Sequence, residues 1–217
     1  MRNARLLLGA LLFTTLVPCG ASGQRVRDFE DSWFWGVKGG VTTFAPTFGD
    51  VKASGSYGVE WLITRRHGAL NISIDESRLT ATSAVFDPSF EGTFRPVRAE
   101  NLRRVSAAAL VFPRAFGKFR PYAGLGLAVS VLGDAYPLVA EDETEVDDLV
   151  WERVDERSSQ AGLLVMGGGQ FHLGRVAVFG QASMVPSNNR FLLNDSALGF
   201  FEVGLRYNFL GAREGIR

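Results

Sequence analysis

Cysteine, histidine and long apolar runs are what this 217-residue chain has least of. Its one cysteine, Cys19, falls inside an N-terminal stretch with the layout of a secretory leader. Arg2 and Arg5 come first, residues 6–18 are apolar, and residues 19–23 are small and weakly polar. Cleavage near Ala21 or Gly23 leaves no thiol, so disulfides and cysteine-ligated metals are excluded from the mature chain. Residues 16–19 superficially match a lipoprotein box, but Pro18 stands where such boxes take a small residue. Past residue 23 no window supplies the ~18 consecutive apolar residues of a membrane helix. Excess charge of either sign is missing too. Losing Arg2 and Arg5 leaves 21 basic against 23 acidic residues, a net charge of −2 and no footprint for nucleic acid.

Glycine and apolar residues, by contrast, are plentiful, with 25 glycines and 46% hydrophobic residues. Beyond residue 30 the apolar positions recur every second residue, the period of strands with two unlike faces. Phe201, Val203, Leu205, Tyr207 and Phe209 alternate with Glu202, Gly204, Arg206 and Asn208. The pattern places eight strands near 33–43, 54–64, 68–78, 102–112, 120–131, 158–171, 175–185 and 198–209. The sides of 158–171 and 175–185 stay open, because both are apolar on two faces in places. Short connections containing turn residues alternate with long ones, as in an up-and-down meander whose turns share one end and whose loops share the other. Residues 79–85 keep the alternation, so the segment 78–101 is read as extending strands three and four beyond the membrane, with a protruding sheet edge open to an extended partner.

Lys38, Glu60, Arg104, Glu202 and Arg206 lie opposite the large apolar residues, among glycines and alanines. In a soluble barrel of lipocalin type the apolar face fills the interior. In a membrane barrel it faces lipid, with aromatic girdles at the interfaces. Eight strands enclose a space just wide enough for side chains, which suits paired charges inside. Trp33, Trp35, Trp61, Phe112, Phe119, Tyr122, Phe171, Tyr207 and Phe209 all fall at the short-turn ends, as a girdle requires. The chain is therefore read as all-β, an eight-stranded antiparallel transmembrane barrel over 24–217 after a leader over 1–23. The five charges form its interior polar network.

These residues resemble the small eight-stranded outer-membrane barrels of Gram-negative bacteria, OmpA-like and OmpX-like. Glu202, Gly204, Tyr207 and Phe209 are similar to the last-strand signal of that family, and residues 120–128 are similar to its Pro-Tyr-x-Gly-x-Gly stretch. The resemblance implies an outer-membrane location, contact with outer-membrane lipid, and recognition of the last strand by the barrel-assembly machinery. It is almost silent on activity; a monomer is expected, and the residues themselves offer no cofactor motif and no catalytic constellation. Residues 210–217 depart from it, since members often end on the terminal aromatic.

Barrel enzymes of the lipid-modifying kind pair histidine with Ser or Asp. His67 and His172 both fall at short turns and are read as solvated turn histidines; Gly167, Gly168 and Gly169 mark a bend or close packing. The connection 132–157 carries nine acidic residues and one arginine within 141–156, a solvated run that also suits a basic partner or a divalent cation. The expected role is structural or surface-interacting, with an extracellular partner at 79–101 and 132–157. The alternatives are a narrow porin-like channel and a lipid-modifying barrel enzyme. Trypsin added to intact cells is expected to cut at Arg95, Arg98, Arg153 or Arg157. Cleavage confined to Arg65 and Arg66 contradicts this orientation.

Overall fold

A strand with apolar residues at every second position must turn one face toward something apolar, and which face is settled by exposure. In a computed structural model describing residues 29, 31–46, 50–90, 93–139, 146–186, 191–193 and 197–211, the large apolar residues point outward. Val203 is 67% exposed and Leu125 66%, whereas Arg104 and Arg206 are buried. The leader 1–23 with Cys19, the acidic residues 141–145 and the tail 212–217 lie outside the described residues.

Eight strands pair in sequence order: β1 (Ser32–Phe44), β2 (Lys52–Arg65), β3 (Gly68–Phe86), β4 (Phe94–Val111), β5 (Phe119–Pro137), β6 (Ser159–Leu173), β7 (Val176–Pro186) and β8 (Ala197–Gly211). All neighbours are antiparallel, and β8 returns to β1 over a ladder from Ser32↔Gly211 to Thr43↔Gly199, closing the barrel. Closure leaves the membrane-embedded backbone no open edge, which hydrocarbon would penalise. Phe201, Val203, Leu205, Tyr207 and Phe209 form one outward row along β8, about the 9–11 residues a tilted strand needs to cross a bilayer. The two strands whose sides the sequence left open are now assigned. Leu163, Val165, Phe171 and Val178 face outward, while Leu164, Met166, Phe179 and Val185 are buried inside. Both faces look apolar because the narrow interior is partly filled by apolar side chains.

The aromatic belt at the short-turn end needs one correction. Trp33, Trp35, Phe119, Phe171, Tyr207 and Phe209 are exposed on the outer face, with Trp35 stacked on Trp61 at 5.4 Å. Phe112 and Tyr122 instead point inward and are buried. Parity explains it: Tyr122 shares its face with Gly124 and Gly126, not with Leu125 and Leu127.

At the other end, the connection expected over 79–101 is mostly strand. The β3–β4 ladder runs on to Phe86↔Phe94, and β4–β5 to Val97↔Pro137. The three strands thus continue past the barrel as a protruding sheet. Where they leave it, Arg78 and Leu79 stand opposite the single Asn101, a bulge that breaks the register. Asn101 takes a left-handed φ of 54°. Below this line Leu102 and Arg104 face inward; above it Ala99, Val97 and Arg95 do. Arg95 is therefore buried and drops out of the expected protease sites. The outer face changes character at the same level, where the Arg103–Glu76 ion pair (3.1 Å) and Arg78 over the Tyr57 ring (5.8 Å) end the apolar belt.

The inner face of the protruding sheet is covered by a helix that the sequence reading placed within a solvated run. Helix α1 (Asp148–Glu156) begins at Asp147, whose carboxylate caps the Leu149 N–H, and buries Val150 and Val154 one turn apart. Phe191, Leu192 and Leu193 pack beside it, and Ser83 Oγ donates to the Leu192 carbonyl at 2.6 Å.

Placing a charge on the lipid face tests the assignment. Val203→Arg is expected to destabilise the barrel by about 2–4 kcal/mol in urea unfolding from lipid vesicles, whereas Val203→Leu leaves the midpoint unchanged.

Candidate functional site

The midsection of the lumen is a charge cluster. Lys38 Nζ lies 2.8 Å from Asp75 Oδ1 and 3.1 Å from Glu202. Arg104 reaches Asp75 at 2.7 Å and Glu202 at 3.2 Å, and donates to Ser183 Oγ at 3.0 Å. Toward the short-turn end Arg206 is paired with Glu60 and donates to Gln170 at 2.6 Å. Gln181 bridges the two groups, donating to Glu202 at 2.9 Å while accepting from the Tyr122 hydroxyl at 3.0 Å. Both guanidinium groups also lie over rings, Arg104 over Phe200 at 3.5 Å and Arg206 over Phe179 at 3.9 Å.

All five charges singled out in the sequence thus sit in the interior, and Asp75 completes a balance of three cations and three anions. By parity Asp75 shares the inner face with Asn71 and Ser73, opposite Leu70, Ile72 and Ile74, and its partner is set by the β3–β4 ladder, which places Arg104 across from it. Such a cluster tolerates burial because each charge finds opposite charge and hydrogen bonds, while a partner left alone does not.

Side chains also close both ends. At the short-turn mouth Phe29 packs on Phe112 at 4.7 Å and on His172 at 5.4 Å, with the Arg120 guanidinium 4.5 Å from its ring centroid. His172 is therefore partly buried among rings rather than solvated, a correction that follows from the Phe29 and Phe34 rings packing against it. His67 is exposed in the turn between β2 and β3. At the far end Val150, Val154 and Leu192 lie beneath the protruding sheet. Near its tip Arg95 forms a buried 2.6 Å ion pair with Asp87 and donates to the Leu138 carbonyl. Burial pushes the Asp87 carboxyl up, but hydrogen bonds from Ser89 and Arg95 outweigh it and hold the group below the usual carboxylate range. Among the described residues no group of three His, Cys, Asp or Glu side chains could hold a metal ion.

On the closing strand Glu202 is inside, while Tyr207 and Phe209 are exposed on the lipid face with rings 4.8 Å apart. Gly204 allows a close approach, since a Cβ there would come within 2.3 Å of the Val37 carbonyl oxygen and 2.7 Å of the Phe179 ring. Gly169 serves likewise, its missing Cβ leaving room for the Phe119 ring.

Two outcomes follow. Arg206→Ala strands Glu60 and is expected to cost about 3–5 kcal/mol, while the paired change Glu60→Leu with Arg206→Met returns close to wild type; urea titration in vesicles reads both. Because the folded Asp87 carboxyl titrates below its ordinary value of 3.8, the stability it contributes is present above about pH 4 and lost as pH falls further. Hydrogen exchange over 84–96 is expected to accelerate below that pH, with Asp87→Asn already fast at neutral pH.

Neither a family model nor the sequence of a curated protein matches the chain. Solved structures do. Neisserial surface protein A superposes with a TM-score of 0.53 at 11% identity, covering 82% of this chain and 97% of that one. Ail, the attachment invasion locus protein of Yersinia pestis, superposes with a TM-score of 0.52 at 12% identity, covering 83% and 99%. With its closed eight-strand meander, lipid-facing apolar belt and charged interior, the chain has the fold of the small outer-membrane β-barrels.

Proposed function

We propose that this protein is a non-enzymatic surface protein of a bacterial outer membrane, whose filled barrel anchors a protruding β3–β5 sheet for contact with an extracellular partner. One observation carries the reading: the interior is packed at three levels while the β3–β5 sheet continues beyond the apolar belt. The ring cluster around Phe29, the six-charge network and the α1 cap lie in series along the axis. A channel needs a continuous water path through all three. A lipid-modifying enzyme needs an activated nucleophile at the outer leaflet, where neither histidine lies. The network of Lys38, Glu60, Asp75, Arg104, Glu202 and Arg206 is thereby given the task of closing the lumen.

The same proposal takes residues 1–23 as an export leader and residues 24–217 as one barrel domain; because β8 runs to Gly211, the short periplasmic tail expected over 210–217 is cut back to 212–217. It takes the barrel as a monomer in outer-membrane lipid. Insertion depends on the barrel-assembly machinery reading Glu202, Gly204, Tyr207 and Phe209 on the last strand. Tyr207 and Phe209 lie at its lipid-facing end, where they can be read before the barrel closes.

Planar-bilayer recording and mass spectrometry of lipid A test the role. The expected results are no stepwise conductance from the purified barrel and unchanged lipid A masses on overproduction; unitary conductance supports the channel, and a new lipid A species the enzyme. For assembly, Phe209→Ala is expected to change equilibrium stability little but to lower the amount of heat-modifiable barrel in cells. If Phe209→Ala assembles normally while removal of residues 212–217 abolishes assembly, the signal lies in the tail.

A further inference from the structure

β5 outruns its neighbour. It continues to Pro137, but its ladder to β6 ends at Val131↔Ser159, with one further bond from the Leu132 N–H to the Ser158 carbonyl. Beyond that point, among the described residues, it is paired on the β4 side only, through Val97↔Pro137. An unpaired strand edge offers a row of N–H and C=O groups to any extended chain that reaches it. This edge lies above the apolar belt, on the same side of the membrane as the protruding sheet.

Helix α1 stands where β6 would otherwise have continued, and it does not close against the edge. Between them is a groove of about 550 Å³, lined by residues 132–135 of β5 and by Trp151, Glu152, Val154, Asp155 and Ser158. That volume falls in the range of ligand clefts, about 300–1,000 Å³. Its floor is apolar, with Leu132 and Val154 buried, and the Trp151 ring at its rim is half exposed. Asp134, Glu152 and Asp155 line it too, and none has a cationic partner among the described residues. The acidic side chains elsewhere on this sheet are occupied: Asp87 by Arg95, Glu100 by Arg98, and Glu76 by Arg103.

We infer that this groove is a strand-addition site for an extended, basic segment of an extracellular protein. The inference rests on the surface-interaction reading and names the partner's chemistry. The segment pairs its backbone with the open edge of β5. Its lysine or arginine side chains meet Asp134, Glu152 and Asp155, and one aliphatic stem with its charged head lies against the Trp151 ring. Edge hydrogen bonds supply affinity that is indifferent to sequence. The three carboxylates supply selection for positive charge, and that part weakens with salt.

The full chain in phosphatidylcholine nanodiscs, which carry no net charge, is titrated with a short labelled peptide of alternating lysine and valine, followed by fluorescence anisotropy. Four comparisons decide. The same peptide with glutamate for lysine, and one N-methylated at alternate residues, are both expected not to bind. Asp134→Asn combined with Glu152→Gln and Asp155→Asn is expected to weaken the lysine peptide about tenfold or more, with Trp151→Ala weakening it separately; heat-modifiable migration verifies that each variant is folded. Equal binding of the glutamate peptide, full binding of the N-methylated peptide, or an unchanged affinity in the triple variant or in Trp151→Ala overturns the assignment. If the lysine peptide fails to bind a barrel that does not conduct, the groove assignment falls and the surface role stands; conductance removes the surface role itself.

Discussion

The ladder between β1 and β8 is the interaction on which the rest depends. Without it the sheet keeps two edges within hydrocarbon, where each unsatisfied backbone group costs several kcal/mol. With it, every strand is paired on both sides within the apolar belt, and the side chains divide into two populations with opposite needs. Closure at eight strands also fixes the lumen width, so interior residues are either small or mutually paired. Gly204 and Gly36 sit where β1 and β8 approach, and a Cβ at either would lie close to backbone of the other strand or to Glu60. The Arg206–Glu60 pair occupies the space beside them.

Most of the barrel was legible in the sequence because a membrane strand inverts the usual partition over many consecutive residues. Nine residues of strict alternation in 201–209 left one assignment of faces, and the five charges fell on the inner face by parity alone. Asp75 was as readable as Glu60 in position, but its importance depends on β3 lying beside β4 with Asp75 opposite Arg104, which spacing along the chain does not encode. The inward turn of Phe112 and Tyr122 was hidden for a related reason. Aromatic residues at a strand end suit either face, and only the parity of their own strand separates a girdle from a plug.

The half beyond the apolar belt was less legible. Residues 94–99 carry Arg95 and Arg98 with Pro96 and look like loop, yet the bulge at Asn101 shifts the parity so that Arg95, Val97 and Ala99 turn inward together. Helix α1 is short and acidic, and its signal was confined to Val146, Val150 and Val154 at every fourth position within a run of carboxylates. The helix is held by what it covers, the inward face of the protruding sheet, more than by its own propensity. Barrel and cap therefore differ in how they are specified: local alternation for the barrel, tertiary contact for the cap.

The central claim is that one face of the strands meets lipid while the charges are shut inside. The most direct measurement is nitroxide accessibility along 201–209, one cysteine at a time, in lipid vesicles. The account predicts that labels at 201, 203, 205 and 207 are accessible to oxygen and shielded from a water-soluble nickel reagent, and that labels at 202 and 206, where folded, are reached by neither. High nickel accessibility at 203 and 205, or at 202 and 206, would show a solvated outer face or an open channel and contradict it.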